Sequence, residues 1–263
     1  MTQAAHARLH SHVQAINDCN QRGSRMLSLV DLIEAHSVDL DLAAYLAAMM
    51  RSRASLLVGA RPGGAGKTAV MCALLSFLPD DAIIRPVTGR AVLASAQGSD
   101  RPGEVCYLAH EIGAGPYYAY VWGEGARAFL RLRQYGHIIV SNLHADTLQE
   151  TYQQLCEEVG ACREDVQRVD LKVYLGIRRA GTRPMQRWIS RVYESQGSAD
   201  RLLWTGNADG VFERQGDSGA ITRAVEGTYA SLLRALVESD TRRIEAVRRA
   251  VVRDGPSPAG LSG

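Results

Sequence analysis

From Met26 onward apolar residues recur at helical intervals. Leu27, Val30 and Ile33, then Leu42, Leu46 and Met49, predict two short helices with a break near "HSVD". The period then changes. "SLLVG" is a short apolar run closed by glycine, which suits a buried strand. "TAVMCALLSFL" predicts a helix that stops at Pro79. "AIIRPV", "EVCYLAHE" and "HIIVSN" are three further strand candidates, and Pro86 places the first of them near an edge or an early end. "DTLQETYQQLCEEV" predicts a helix with Asp146 as N-cap, Gln149 set for a capping box, and an apolar stripe of Leu148, Tyr152, Leu155 and Val159. "VDLKVYLGI" and "MQRWISRVYES" alternate and predict a hairpin.

The ends of the chain are more polar. The first 24 residues suit a loose helix or frayed arm, with His6, His10 and His12 on a solvated face. "TRAVEGTYASLLRALVES" and "DTRRIEAVRRAVV" predict two helices broken at Ser239-Asp240. Arg242, Arg243, Arg248 and Arg249 then form a solvated basic stripe, and "DGPSPAGLSG" reads as a disordered tail. Strands alternating with helices in the middle of the chain predict an α/β fold with a mainly parallel sheet flanked by helices. Ligands of such sheets bind outside the carboxyl ends of the strands.

Composition narrows the class without choosing a function. The 263 residues, 46% hydrophobic and 22% charged, suit an ordinary globular protein of one large domain or a core with an appendage. A net charge of +2 makes nucleic acid or an anionic surface no requirement. The cysteines Cys19, Cys72, Cys106, Cys156 and Cys162 contain no C-x-x-C pair, and their odd number fits a reducing cytoplasm. The N-terminus lacks the apolar centre of a signal peptide. No apolar run approaches the roughly 20 residues that cross a bilayer, so membrane association would come through partners.

The candidate chemistry lies in "LLVGARPGGAGKTAV". Pro62, Gly63, Gly64, Ala65, Gly66, Lys67, Thr68 and Ala69 form a glycine-rich turn between a strand and a helix. Glycines let backbone N–H groups wrap around phosphates, and the helix adds its positive end. Lys67 should reach the β- and γ-phosphates of ATP, and Thr68 should place its hydroxyl on Mg²⁺. The first glycine of the G-x-x-x-x-G-K-[ST] spacing is replaced by Arg61. Were φ positive there, the side chain would cost about 1–2 kcal/mol. Hydrolysis also needs a group that orients or deprotonates water. Glu111, at the end of "EVCYLAHEI", is the candidate general base and a possible Mg²⁺ ligand; a surface glutamate at a strand end is the plainer reading. "GHIIVSNLHAD" delivers Asn142 and His144 to the same end of the sheet, where an imidazole can hydrogen-bond a γ-phosphate or simply cap and pack.

Taken together, these residues resemble the type II/IV secretion and pilus-assembly ATPases, the RecA-like P-loop motors that include pilus-retraction, conjugation and tight-adherence enzymes. "LDLAAYLAAMMRSRASLLVGARPGGAGKTAVMCALLSFLPDD" is similar to the family's stretch through the Walker A motif. "AHEI" sits where the family has its Walker B glutamate, and "GHIIVSNLHADTLQETYQQL" resembles its His box. "VDLKVYLGIRRAGTRPMQRWISRVYE" is similar to its late hairpin. The resemblance spans roughly Met26 to Glu194, and the combination of G-K-T with G-H-[5]-L-H-A is what makes it specific.

The resemblance implies a RecA-like P-loop NTPase core over residues 49–195. A short helical segment at 1–48 would precede it and a small, mainly helical region at 196–263 would follow it. It also implies catalytic roles for Lys67, Glu111 and His144, the last as sensor of the γ-phosphate. The implied assembly is a homo-oligomer, a hexamer, in the cytoplasm and peripheral to the inner membrane. There an inner-membrane platform protein would receive the work of ATP turnover. No direct membrane span and no nucleic-acid partner are implied.

Several positions depart from the family pattern. Val87 and Thr88 stand where it has acids, His110 replaces the Walker B glycine, and Gly113 takes the place of an arginine. "GAGPYYAYVWGEGARAF" looks like an insertion, and some 50 residues leave no room for a long N-terminal sensing domain. Arg85, Arg90 and Arg101 are the candidates to act across a ring. Two further readings stay open: a nucleotide-binding but hydrolytically weak ring subunit, and another P-loop NTPase such as a kinase or nucleic-acid translocase.

Overall fold

The computed structural model describes residues 3–20, 25–96, 103–179 and 185–255. The chain opens with α1 (Gln3–Asp18), α2 (Leu29–Glu34) and α3 (Leu40–Arg51), followed by β1 (Leu56–Gly59) and α4 (Lys67–Leu75). Then come β2 (Ile83–Pro86), α5 (Arg90–Ala96), β3 (Val105–Ile112), the short β4 (Tyr120–Val121), α6 (Glu124–Arg131) and β5 (Ile138–Leu143). The rest is α7 (Leu148–Tyr152), α8 (Arg163–Gln167), β6 (Leu171–Arg178), β7 (Gln186–Ser195), β8 (Asp200–Gly206), β9 (Phe212–Arg214), α9 (Arg223–Glu238) and α10 (Ile244–Asp254).

The described residues form one nine-stranded sheet of order β2-β3-β5-β1-β6-β7-β8-β9, with β4 paired to β3. Strands β2, β3, β5, β1 and β6 run parallel, and β7, β8 and β9 continue antiparallel. The fold is therefore the expected α/β class, and the strand that precedes the glycine turn lies inside the sheet. β1, β3 and β5 are buried along their whole length, because a parallel strand covered by helices on both faces has no solvent side. Alternate residues feed two cores: Leu56, Val58, Cys106, Leu108 and Val140 on one face, Leu57, Tyr107, Ala109 and Ile139 on the other. Pro86 ends β2 at the sheet edge, as its missing N–H demands.

Caps account for several boundaries. Ser28 and Asp31 close a reciprocal capping box at α2, and Asp39 accepts from Leu42 N at 2.8 Å to start α3 after the expected break. At α7 the cap is one residue later than expected. Thr147, not Asp146, is the N-cap, and Glu150, not Gln149, reaches back, accepting from Asp146 N at 2.7 Å. The helix then continues as a π-helical segment, Gln153–Glu158.

Two expectations about the ends need correction. His12 is buried rather than solvated, and its Nε2 hydrogen-bonds the Ala82 carbonyl. Arg248 is buried too: it donates to the Ser76, Leu78 and Pro79 carbonyls, because α10 lies against the turn that ends α4. Residues 196–263 hold β8 and β9 together with α9 and α10, and β8 pairs with β7. The tail beyond residue 255 and Arg101 lie outside the described residues.

Candidate functional site

A cleft of about 980 Å³ opens at the carboxyl ends of the parallel strands. One wall is the glycine turn from Pro62 to Ala69 with Glu111 and His144; the facing wall is made by Met26, Leu27, His36 and Val38 with the hairpin residues Leu175, Arg187, Trp188 and Ile189.

The turn is shaped by two glycines. Gly64 and Gly66 have φ of 82° and 101°, a region that suits residues without a Cβ, and α4 begins directly after Gly66. A Cβ at Gly63 would meet nothing within 4 Å, so the mouth of the turn is open. Arg61 does not adopt positive φ, so the steric cost considered above does not arise. Its N–H donates to Asp146 Oδ1 at 2.7 Å, and its guanidinium pairs with Glu150 at 3.2 Å. The turn is thus pinned from outside by the segment that follows β5.

Three expected side chains from three elements meet at the cleft floor. Lys67 Nζ, on α4, lies 3.1 Å from Glu111 Oε2 and donates to the Ala60 carbonyl at 3.0 Å. Glu111 comes from the end of β3. His144 follows β5, the strand between β1 and β3, and its Nε2 lies 2.7 Å from Glu111 Oε1. Lys67 Nζ stands 3.5 Å from His144 Nδ1. The ring thus stands between the two charged groups, Nε2 toward the carboxylate and Nδ1 toward the ammonium. Burial pulls the Lys67 ammonium below its ordinary value, with Glu111 opposing the shift.

Neighbouring groups support the carboxylate. Tyr120, on β4, hydrogen-bonds Glu111; burial and that charge push its phenol up to about 12. His110 stacks on Tyr120 with ring centroids 5.7 Å apart, and burial lowers its pKa. A Cβ at Gly113 would lie 3.2 Å from Glu111 Oε1, so the absence of a side chain there leaves the carboxylate room. The segment from Gly113 to Phe129, which carries β4, therefore contributes Gly113 and Tyr120 to the surroundings of Glu111.

Hard oxygen donors are also present. Asn142 Nδ2 donates to the His110 carbonyl at 2.8 Å and faces the Thr68 hydroxyl at 3.4 Å. Its Oδ1 is buried with no partner, an orphan acceptor beside Thr68's anchor. The Thr68 hydroxyl and the Glu111 carboxylate, which both line the cleft, suit Mg²⁺, which takes few protein ligands and completes its shell with phosphates and water. Of the arginines expected to act across a ring, Arg90 pairs with Glu124 at 2.9 Å, and Arg85 lies over the Tyr107 ring. Sequence reasoning missed Arg187, whose Nε donates to the Gly64 carbonyl at 2.8 Å.

Fold and site together define an α/β protein with a glycine-rich strand–turn–helix and a charged cleft at the ends of its parallel strands. A crystal structure of the VirB11 ATPase from the Brucella suis type IV secretion system, in complex with sulphate, is similar over 63% of this chain and 54% of that one. The identity is 21% and the TM-score 0.44. The chain thus spans about half the length of that protein. No family model and no curated protein matches.

Proposed function

We propose that this chain is a Mg²⁺-dependent ATPase whose turnover drives a type II/IV secretion or type IV pilus-like machine. The observation that carries the ATPase reading is the convergence of Lys67, Glu111 and His144 at a glycine turn with an open mouth. The coupling to secretion rests on the sequence similarity between Met26 and Glu194. In this reading the N–H groups of Gly63 to Thr68 and the Lys67 ammonium hold the phosphates. Thr68 and Glu111 would hold Mg²⁺, which would supply positive charge to offset that of the phosphates. Glu111 orients or deprotonates the attacking water, and His144 hydrogen-bonds the terminal phosphate.

The assembly that fits this activity is a homo-hexamer in the cytoplasm, working against an inner-membrane platform protein. Among the described residues no helix is long and apolar enough to cross a membrane.

The test is phosphate release from ATP with Mg²⁺, by wild type and by Glu111→Gln. Release by the wild type and a loss of about 10²–10⁴-fold in the variant are expected. Wild-type binding of nucleotide without turnover would favour a second reading, a hydrolytically weak ring subunit. One observation favours that reading: Glu111 is engaged by both Lys67 and His144, and Val87 and Thr88 supply no further acid. Sedimentation with a non-hydrolysable ATP analogue checks the hexamer; a persistent monomer with DNA-stimulated turnover would point to a translocase instead.

A further inference from the structure

The cations lining the cleft among the described residues are Arg25, Lys67 and Arg187. Two are neutralised internally: Arg25 by Asp31 at 2.5 Å and Lys67 by Glu111 at 3.1 Å. Of the cleft's acids, Glu111 is taken by Lys67 and His144, and Asp209 by Arg178 at 3.0 Å. Arg187 forms no ion pair with any described carboxylate; its described hydrogen bond runs from Nε to the Gly64 carbonyl. A half-buried guanidinium left with its charge uncompensated makes a site for an anion.

Its placement says which anion. Arg187 pairs with Ile177 across the β6–β7 hairpin, and β6 lies directly beside β1. The hairpin therefore stands over the glycine turn, and a Cβ built on Gly66 would come 3.5 Å from Arg187 Cδ. The Nε bond to Gly64 fixes the guanidinium plane, leaving its Nη groups for a planar, two-point contact of the kind that phosphate oxygens accept.

Resting on the nucleotide reading above, we propose that Arg187 is a second phosphate-binding cation. It grips the phosphate chain of the bound nucleotide from the hairpin side while Lys67 grips it from the helix side. Occupancy of the turn is then felt directly by the antiparallel half of the sheet.

The experiment titrates the full chain and its Arg187→Ala, Arg187→Gln and Arg187→Lys variants with a fluorescent ADP analogue, and with adenosine as competitor. Circular dichroism melting checks that each variant folds. Loss of about tenfold in ADP affinity is expected for Ala and Gln, with partial recovery for Lys and less than about twofold change for adenosine. Gln keeps a donor for the Gly64 carbonyl but no charge. Full recovery by Gln would overturn the proposal in favour of a mere tether, as would equal losses for ADP and adenosine. Unchanged ADP affinity in all three variants overturns this inference alone. A wild type that binds no ADP overturns the nucleotide reading and this inference with it.

Discussion

His144 Nε2 and Glu111 Oε1 lie 2.7 Å apart, although the histidine follows one strand and the glutamate ends its neighbour. The register that pairs Ile112 with Leu143 brings the two strand ends together after an irregularity in β3, and His144 completes the contact from the first residue beyond β5.

The other Glu111 oxygen faces Lys67, so a phosphate chain must compete with a carboxylate for the ammonium. Glu111→Gln removes the competitor. Its ADP affinity should rise about three- to tenfold even as turnover falls, an effect of roughly 1 kcal/mol for one partly buried charge contact. Equilibrium titration with a fluorescent ADP analogue measures it; an affinity below that of the wild type would contradict it.

Restoring the missing glycine should bring no gain. Arg61 has no positive φ to relieve, and its guanidinium bridges to Glu150. Arg61→Gly is expected to leave ADP affinity within about twofold. It should lower stability by about 0.5–1 kcal/mol through backbone entropy and the lost exposed pair. Urea unfolding and nucleotide titration on the same preparation test both halves.

His12 makes folding sensitive to acid. Burial, aided by the Arg248 charge, lowers its pKa from 6.5 to about 4. Between those values the unfolded chain binds a proton that the folded chain refuses. Its contribution is fully present above pH 6.5 and is lost as pH falls toward 4. The two end points differ by on the order of 3 kcal/mol. Urea midpoints across this window should drop with pH, and His12→Gln, which keeps a donor for the Ala82 carbonyl, should flatten the drop.

Arg248 satisfies three carbonyls at the turn after α4, and Arg51 donates to one of them, the Leu78 carbonyl, at 3.4 Å. Arg248→Met keeps the packing volume but takes the described donor from the Ser76 carbonyl, while Leu78 keeps Arg51 and Pro79 keeps the Ala82 N–H. A loss of about 1–3 kcal/mol is expected in chemical unfolding. Arg248→Lys, with a single point of donation, should recover only part of it.

Much of the parallel core could be read directly from the chain. The first half of β5, "IIV", is buried on both faces and apolar at every position, a signal that survives without knowledge of neighbours. The G-K-T junction and the acid and imidazole at strand ends were legible for the same reason, since chemistry there demands particular residue types at particular ends.

What escaped the sequence depends on partners. "DRLLWTG" mixes charge, apolar residues and glycine, and becomes β8 through pairing with β7. Arg248 sits in a run of basic residues indistinguishable from a solvated face until α10 is placed against the turn after α4. Arg187 is one of several basic residues in the hairpin, and only the order β1-β6-β7 carries it to Gly64. The cap of α7 moved by one residue because Asp146 is engaged by Arg61 N, leaving Thr147 to start the helix.

The ladders joining β1, β5 and β3 give the cleft one stiff jaw. Those strands cannot part without breaking several backbone hydrogen bonds at once, so that jaw behaves as an anvil. The β6–β7 hairpin belongs to the same sheet through the β1–β6 ladder, whereas Met26 and Leu27, before α2, line the cleft without joining any strand. On the motor reading proposed above, a crosslink from that stretch to the glycine turn would block movement across the cleft while leaving nucleotide binding in place.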